Sequence, residues 1–276
     1  MNAFDNRCVH WKGEHYTDTQ GVSYSRRVSS VAADAFEQFD ADMVSGMCAG
    51  KGKYAGMTQA EVLEAWNANG ELARTLGTDL HARIENHVIK TPGPPPAPVA
   101  GEPLSKEWGQ FLAFADDYCD ELRTMRAEWS VGDPLSGVAG TIDYVSAPSG
   151  TGDFDDDNNE VVLYDWKRCK EITNKKGGRC LVQGGLFADN DPLRKKCLRG
   201  SKLVIYSLQL CLYAEILERE YDIKVAGMRL VQFHETLDDY QLHEALPLRN
   251  AARTLLDNRS EISSSMLQRG GYTVSM

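Results

Sequence analysis

Apolar positions along the chain follow two rhythms. Trp108, Phe111, Ala115, Tyr118, Leu122 and Met125 recur at steps of three and four, which predicts one amphipathic helix. Similar spacing predicts helices around Ala33–Met47 and from Gln59 to Lys90, the second broken near Leu76–Gly77 where glycine interrupts the pattern. Leu203–Glu220 and Asn250–Arg269 complete the helical set. Short β-branched or aromatic runs bounded by turn residues predict strands at Ala127–Val131, Val138–Ser146, Glu160–Lys167 and Val225–His234. Two stretches follow neither rhythm. TPGPPPAP (91–98), with five prolines in eight residues, reads as an extended linker. GTGDFDDDNN (150–159) reads as a solvated acidic tip, since it lacks the central glycine and closing glutamate of a calcium loop. The order is that of an α/β protein, a mixed central β-sheet flanked by helices with a helical N-terminal elaboration. One domain spanning 1–276 is expected, divided into an elaboration (1–70), a core (71–235) and a C-terminal helical extension (236–276).

Composition narrows the class. At 42% hydrophobic and 25% charged residues, the 276-residue chain has the makeup of a globular protein with a sizeable core. No run of 18 apolar residues is present, so no helix spanning a bilayer and no membrane partner are expected. The polar N-terminus lacks the apolar segment of a signal peptide. Seven cysteines occur without a CxxC pair, which argues against a zinc ribbon and for reduced thiols. The expectation is an intracellular, soluble protein. Its net charge of −10 at first argues against nucleic acid, but the charge is segregated. Between Lys167 and Lys202, eleven bases face three acids, a local +8 on a remainder of −18. Such an island suits a polyanion, and a solvated glycine-rich loop reads the same way.

Absent motifs remove several chemistries. There is no GxxxxGK[ST], HExxH or GxSxG, so ATPase, metalloprotease and α/β-hydrolase readings lose their support and no ATP is expected. What remains is a dispersed set of acids. Asp143 ends Gly140-Thr141-Ile142-Asp143, and Asp165 and Lys167 share a face of Leu163–Lys167 because strand side chains alternate. Two adjacent antiparallel strands would bring Asp143 and Asp165 together, and converging carboxylates repel unless a cation lies between them. Mg²⁺ suits such a place: it takes one or two carboxylates plus waters and phosphate oxygens. An Asp-x-Lys tripeptide is also an ordinary cross-strand ion pair. Upstream, His81 and Glu85 lie on one helix face; downstream, Gln209 and Tyr213 lie one turn apart.

Taken in order, Gly77-Thr78-x-x-His81, Glu128 followed by Gly140-x-x-Asp143, Asp165-x-Lys167 and Gln209-x-x-x-Tyr213 form a set that resembles the RecB-like exonuclease branch of the PD-(D/E)XK nuclease superfamily. Lambda exonuclease is more distantly similar. The resemblance covers roughly residues 71–235. It implies a restriction-endonuclease-like core and Mg²⁺ or Mn²⁺ held by Asp143, Asp165 and the carbonyl of Trp166, with His81 as an extra ligand. It makes Lys167 the catalytic lysine, Gln209 and Tyr213 the pair that braces the site and contacts DNA, and Glu128 an acid in the metal shell or a structural one. Ile142 stands where the superfamily name has proline, and Asp165 where glutamate is commoner. The four-cysteine iron–sulfur frame of several members is missing, with no cysteine after Cys211. The implied activity is a metal-dependent DNA exonuclease of recombination, repair or replication, acting on single-stranded DNA or free ends. Lys175, Lys176, Arg194, Lys195 and Lys196 would track the backbone, and any unwinding would come from a recombination partner protein or be unnecessary on a substrate already single-stranded. A site-specific endonuclease on the same fold, a non-catalytic nucleic-acid-binding recombination protein, and an acidic interaction domain stay open as alternatives.

Overall fold

The computed structural model describes residues 8–90, 102–118, 121–147, 160–173, 177–182 and 199–257. The proline-rich linker, the acidic tip and Lys175, Lys176, Arg194, Lys195 and Lys196 lie outside those residues. The described chain is α/β, a six-stranded mixed sheet with helices on both faces. A small meander of β1 (His10–Trp11), β2 (Tyr16–Thr17) and β3 (Ser23–Tyr24) precedes β4 (Arg26–Arg27) and α1 (Val28–Asp34). Then come α2 (Ala41–Cys48), α3 (Gln59–Glu85) with a π-helical turn at Asn86–Lys90, and α4 (Ser105–Asp117). The core continues with β5 (Arg123–Asp133), β6 (Val138–Ala147), β7 (Glu160–Arg168), α5 (Lys202–Glu220), β8 (Lys224–Phe233), β9 (Gln241–Glu244) and α6 (Arg249–Asp257). The order across the sheet is β4-β6-β7-β8-β9, and β5 lines the other edge of β6. Among the described residues only the β4–β6 and β7–β8 pairs are parallel; α5 makes the crossover that a parallel β7–β8 pair needs.

Two apolar layers hold the sheet. On one face α1, α5 and α6 meet Ile142, Val145, Val161, Leu163 and Leu230. On the other, Leu80 and Ile84 of α3 and Trp108, Phe111 and Phe114 of α4 meet Tyr144, Tyr164, Trp166 and Phe233. β7 alternates cleanly between them, and this alternation sends Asp165 and Lys167 toward α5.

Several expected boundaries move, each for a local reason. The stretch Ala33–Met47 is two helices. The backbone of residues 35–37 leaves the helix to bond with residues 179–181 (Leu181 N–H to Ala35 C=O, 2.8 Å; Glu37 N–H to Arg179 C=O, 2.8 Å). Asp40 then caps α2 by accepting from the Met43 N–H at 2.8 Å. The Trp108–Met125 periodicity does not continue as one helix. α4 stops at Asp117, and Met125 belongs to β5 and packs on the opposite face of the sheet from α4. The first 70 residues are also more than helices, because β4 and α1 are built into the sheet and its core. Beyond Glu235, β9 and α6 likewise complete the core, and residues past Asp257 lie outside the described set.

α3 runs unbroken through Gly77. Its start is fixed by a capping box, in which the Thr58 N–H donates to Glu61 Oε2 at 2.7 Å and the Glu61 N–H to Thr58 Oγ1 at 3.3 Å. A methyl group on Gly77 would meet open space. Gly77→Ala is therefore expected to stabilise the protein by about 0.5–1 kcal/mol, read as a higher denaturation midpoint with unchanged slope. No helix of the described residues is long and apolar enough to cross a membrane.

Candidate functional site

The site grows from a fork in the sheet. Along one edge β6 pairs with β4 at Val138 and Ala139, and with β7 only from Tyr144 onward, so Gly140–Asp143 lies between two partners. Backbone groups at a fork lose their ladder bonds and need other partners. Two side chains provide them. The Tyr213 hydroxyl donates to the Thr141 carbonyl at 2.7 Å, and Asp143 Oδ2 accepts from the Trp166 N–H at 2.8 Å. Gly140 makes the first possible, since a Cβ there would lie 2.7 Å from the Tyr213 hydroxyl oxygen.

β5 contributes a second break. Its register with β6 (Ala127 with Tyr144, Trp129 with Ile142) places Glu128 opposite Asp143. Strict alternation would put Ala127 and Trp129 on one face, yet Ala127 packs with the α3–α4 layer and Trp129 with the α1–α5 layer. Tyr144 and Ile142 split in the same way. The pleat reverses where Glu128 adopts φ +47°, a left-handed conformation that is costly for a residue with a Cβ. Glu128→Gly is expected to relieve about 1 kcal/mol of backbone strain while removing the carboxylate. Thermal unfolding should show it more stable than Glu128→Ala, which keeps the strain; equal melting points would mean the left-handed turn is unstrained.

α3 closes the fork from one side and α5 from the other. From α3, His81 Nε2 lies 3.0 Å from the Trp166 carbonyl, and Nδ1 lies 3.5 Å from Glu128 Oε1 and 3.7 Å from Asp143 Oδ1. One ligand atom each of His81, Glu128 and Asp143 falls within a 4.8 Å group, a spacing that can hold a metal ion. From α5, Gln209 Nε2 donates to Asp165 Oδ1 at 3.1 Å. Lys167 Nζ holds Asp165 at 2.8 Å (Oδ1) and 2.7 Å (Oδ2) and sits 4.6 Å from the centre of the Tyr206 ring. Continuing the Tyr144–Tyr164 register sets Asp143 directly opposite Asp165.

Charge at the fork is unbalanced by burial. Desolvation raises the pKa of Asp143 against the opposing pull of His81 and Lys167. Asp165 is pushed up to about 6 by desolvation, with Lys167 lowering it and Asp143 raising it further. Burial alone would lower His81, but Asp143 and Glu128 outweigh it and lift the imidazole to about 9. Lys167 is likewise held above its ordinary value because Asp165 and Asp143 overcome its own desolvation. Burial thus leaves the two carboxyls short of solvation, and His81 and Lys167 supply the positive charge beside them.

The sequence matches no protein-family model and no curated protein. Geometry alone therefore ranks the residues. The fork gathers His81, Glu128, Asp143, Asp165, Trp166, Lys167, Gln209 and Tyr213. Glu128, whose role the sequence left open between metal shell and structure, stands beside His81 and Asp143, whereas Asp165 lies outside that trio and is held by Lys167 and Gln209. Gln209 and Tyr213 are buried and donate inward, to Asp165 and to the Thr141 carbonyl. Sequence reading missed a hydroxyl chain in which Thr141 Oγ1 lies 3.0 Å from both Ser130 Oγ and the Tyr16 hydroxyl. Ser130 pairs with Thr141 two positions along from the Glu128–Asp143 pair, but the reversed pleat at Glu128 hides this from any alternation rule.

Proposed function

We propose that this chain is a metal-dependent deoxyribonuclease on a restriction-endonuclease-like core of the RecB-like PD-(D/E)XK kind, most directly an exonuclease. One observation carries the reading. Asp143 and Asp165, on two successive strands, stand in register across a strand fork, with Lys167 on one carboxylate and His81 and Glu128 beside the other. The donors fit a hard or borderline divalent ion. Carboxylates and a backbone carbonyl suit Mg²⁺ and Mn²⁺, and the imidazole adds preference for Mn²⁺. Asp143, Asp165 and the Trp166 carbonyl would hold the ion, with His81 and Glu128 completing the set. Bound there, a divalent cation supplies a more acidic water and neutralises charge on a phosphodiester.

The protein's own groups have separable tasks. Lys167, paired with Asp165 at 2.7 Å and held above its ordinary pKa by Asp165 and Asp143, offers a positive charge to a developing oxyanion. Gln209 fixes the rotamer of Asp165, and Tyr213 fixes the backbone two residues before Asp143. Hydrolysis adds water across one P–O bond, leaving a phosphate monoester and a hydroxyl without a covalent enzyme intermediate. The test is digestion of end-labelled linear DNA and circular DNA in Mg²⁺, Mn²⁺ or EDTA. Linear DNA should be degraded from its ends in either metal and left intact in EDTA. Cutting of circles assigns the site to an endonuclease, and no cleavage in either metal overturns the enzyme reading. His81→Ala should lower the rate and reduce the advantage of Mn²⁺; an unchanged rate and metal preference would make His81 a packing residue.

A further inference from the structure

The N-terminal meander is fastened to the fork. Val9, Tyr16 and Tyr24 pack with Ala139 of β6, and the Tyr16 hydroxyl reaches Thr141, two residues before Asp143. Gly132 of β5 admits the Tyr24 ring, where a Cβ would stand 2.5 Å from a ring carbon. This small sheet thus holds a fixed position against the strands that carry Glu128 and Asp143.

Its outer rim carries a side chain that packing does not explain. Trp11 lies across from Tyr16 in the β1–β2 ladder, so the two share a face, with ring centroids 4.9 Å apart. Tyr16 is buried, but Trp11 remains 40% exposed. The Arg27 guanidinium sits 4.1 Å from the centre of the Trp11 ring and is itself exposed. Lys12, the next residue, is also exposed. An exposed indole stacked with a guanidinium, next to a further cation, has the chemistry that receives a nucleobase and its phosphate. Aromatic and guanidinium planes stack on unpaired bases, while lysine and arginine meet the backbone. Thr141 is about 7 Å along β6 from Asp143, at roughly 3.3 Å per residue. Tyr16 thus links the Trp11 rim to the strand that carries Asp143.

We infer that Trp11 and Arg27 form a stacking platform for an unpaired nucleobase of the strand entering the fork. The inference rests on the nuclease reading and narrows it to a substrate that is single-stranded beside the cleavage site, because a base within a duplex cannot reach the indole. Trp11 and Arg27 would be positioning residues that set the register of the strand and leave the chemistry to the fork.

The test is fluorescence anisotropy of a labelled single-stranded decanucleotide with the full chain in EDTA, so that no cleavage intervenes. Trp11→Ala should weaken binding about tenfold, and Trp11→Phe should restore most of it. An abasic residue moved through the oligonucleotide should weaken wild-type binding at one position and leave Trp11→Ala unaffected there. Arg27→Gln should make the salt dependence shallower by roughly 0.7 in log–log slope. Affinity for a blunt duplex should not depend on Trp11. Wild-type affinity in Trp11→Ala, or abasic losses that are the same in both proteins, would overturn the platform; the second outcome would mark the ring as support for the meander. Cleavage in Mn²⁺, followed in parallel, separates the two readings. DNA cut but bound independently of Trp11 removes only the platform, whereas base-coupled binding without cleavage removes the nuclease and keeps it.

Discussion

Asp143→Asn, Asp165→Ala and Lys167→Ala are each expected to reduce metal-dependent DNA cleavage by about 10²-fold or more. Asparagine is the informative choice at Asp143. Its side-chain oxygen can still accept from the Trp166 N–H, so the 2.8 Å bond that ties β6 to β7 survives while the charge is lost. At Asp165 the loss removes a carboxylate but frees Lys167 from its partner at 2.7 Å. At Lys167 it leaves a buried carboxylate uncompensated, so that variant should also be the least stable of the three. Calorimetric titration with Mn²⁺ should show binding weakened by Asp143→Asn. Wild-type turnover by any two of these variants, with native unfolding curves, would sink the assignment of the fork as the active site.

The largest structural loss is expected at Trp166. Its side chain lies at the centre of an aromatic layer, with Phe111, Phe114, Tyr144, Tyr164 and Phe233 all between 5.7 and 6.2 Å by ring centroids. Its backbone lies in the site, donating N–H to Asp143 and facing His81 through its carbonyl. Trp166→Ala should cost about 3–5 kcal/mol, a large part of the 5–15 kcal/mol that holds a typical protein folded. Phe111→Ala is the comparison, because it opens the same layer at a similar cost without touching either backbone group. Urea unfolding should place both variants low. Cleavage per folded molecule should fall further for Trp166→Ala, and an equal fall in both would mean the aromatic layer does not hold the backbone of the site in place.

The element types were legible where side chains repeat with one period over many residues. β7 is an example: Val161 and Leu163 pack into one layer and Tyr164 and Trp166 into the other, while α5, buried throughout residues 207–217, was legible from its length and apolar content. Boundaries failed where tertiary bonds overrode the local pattern. Ala33–Met47 divides because residues 35–37 find backbone partners at 179–181, a separation that no window of sequence contains. Met125 continues the spacing of α4 and yet packs on the opposite side of the sheet.

For the candidate site, the sequence by itself determined which pairs of side chains share a face. Asp165 and Lys167 must point together because strands alternate, and Gln209 and Tyr213 must align because a helical turn spans four residues. Only the tertiary structure decided how these pairs meet. The fork that strands Gly140–Asp143 between β4 and β7 depends on which chains pair with β6, and its open backbone groups are what draw in Tyr213 and Asp143. The left-handed turn at Glu128 reverses the pleat of two strands and sets that carboxylate beside His81, a placement no alternation rule predicts. Local periodicity reports on neighbours within one element, whereas the fork needs β6 to pair both with the nearby β7 (Tyr144 with Tyr164) and with the distant β4 (Val138 with Arg26).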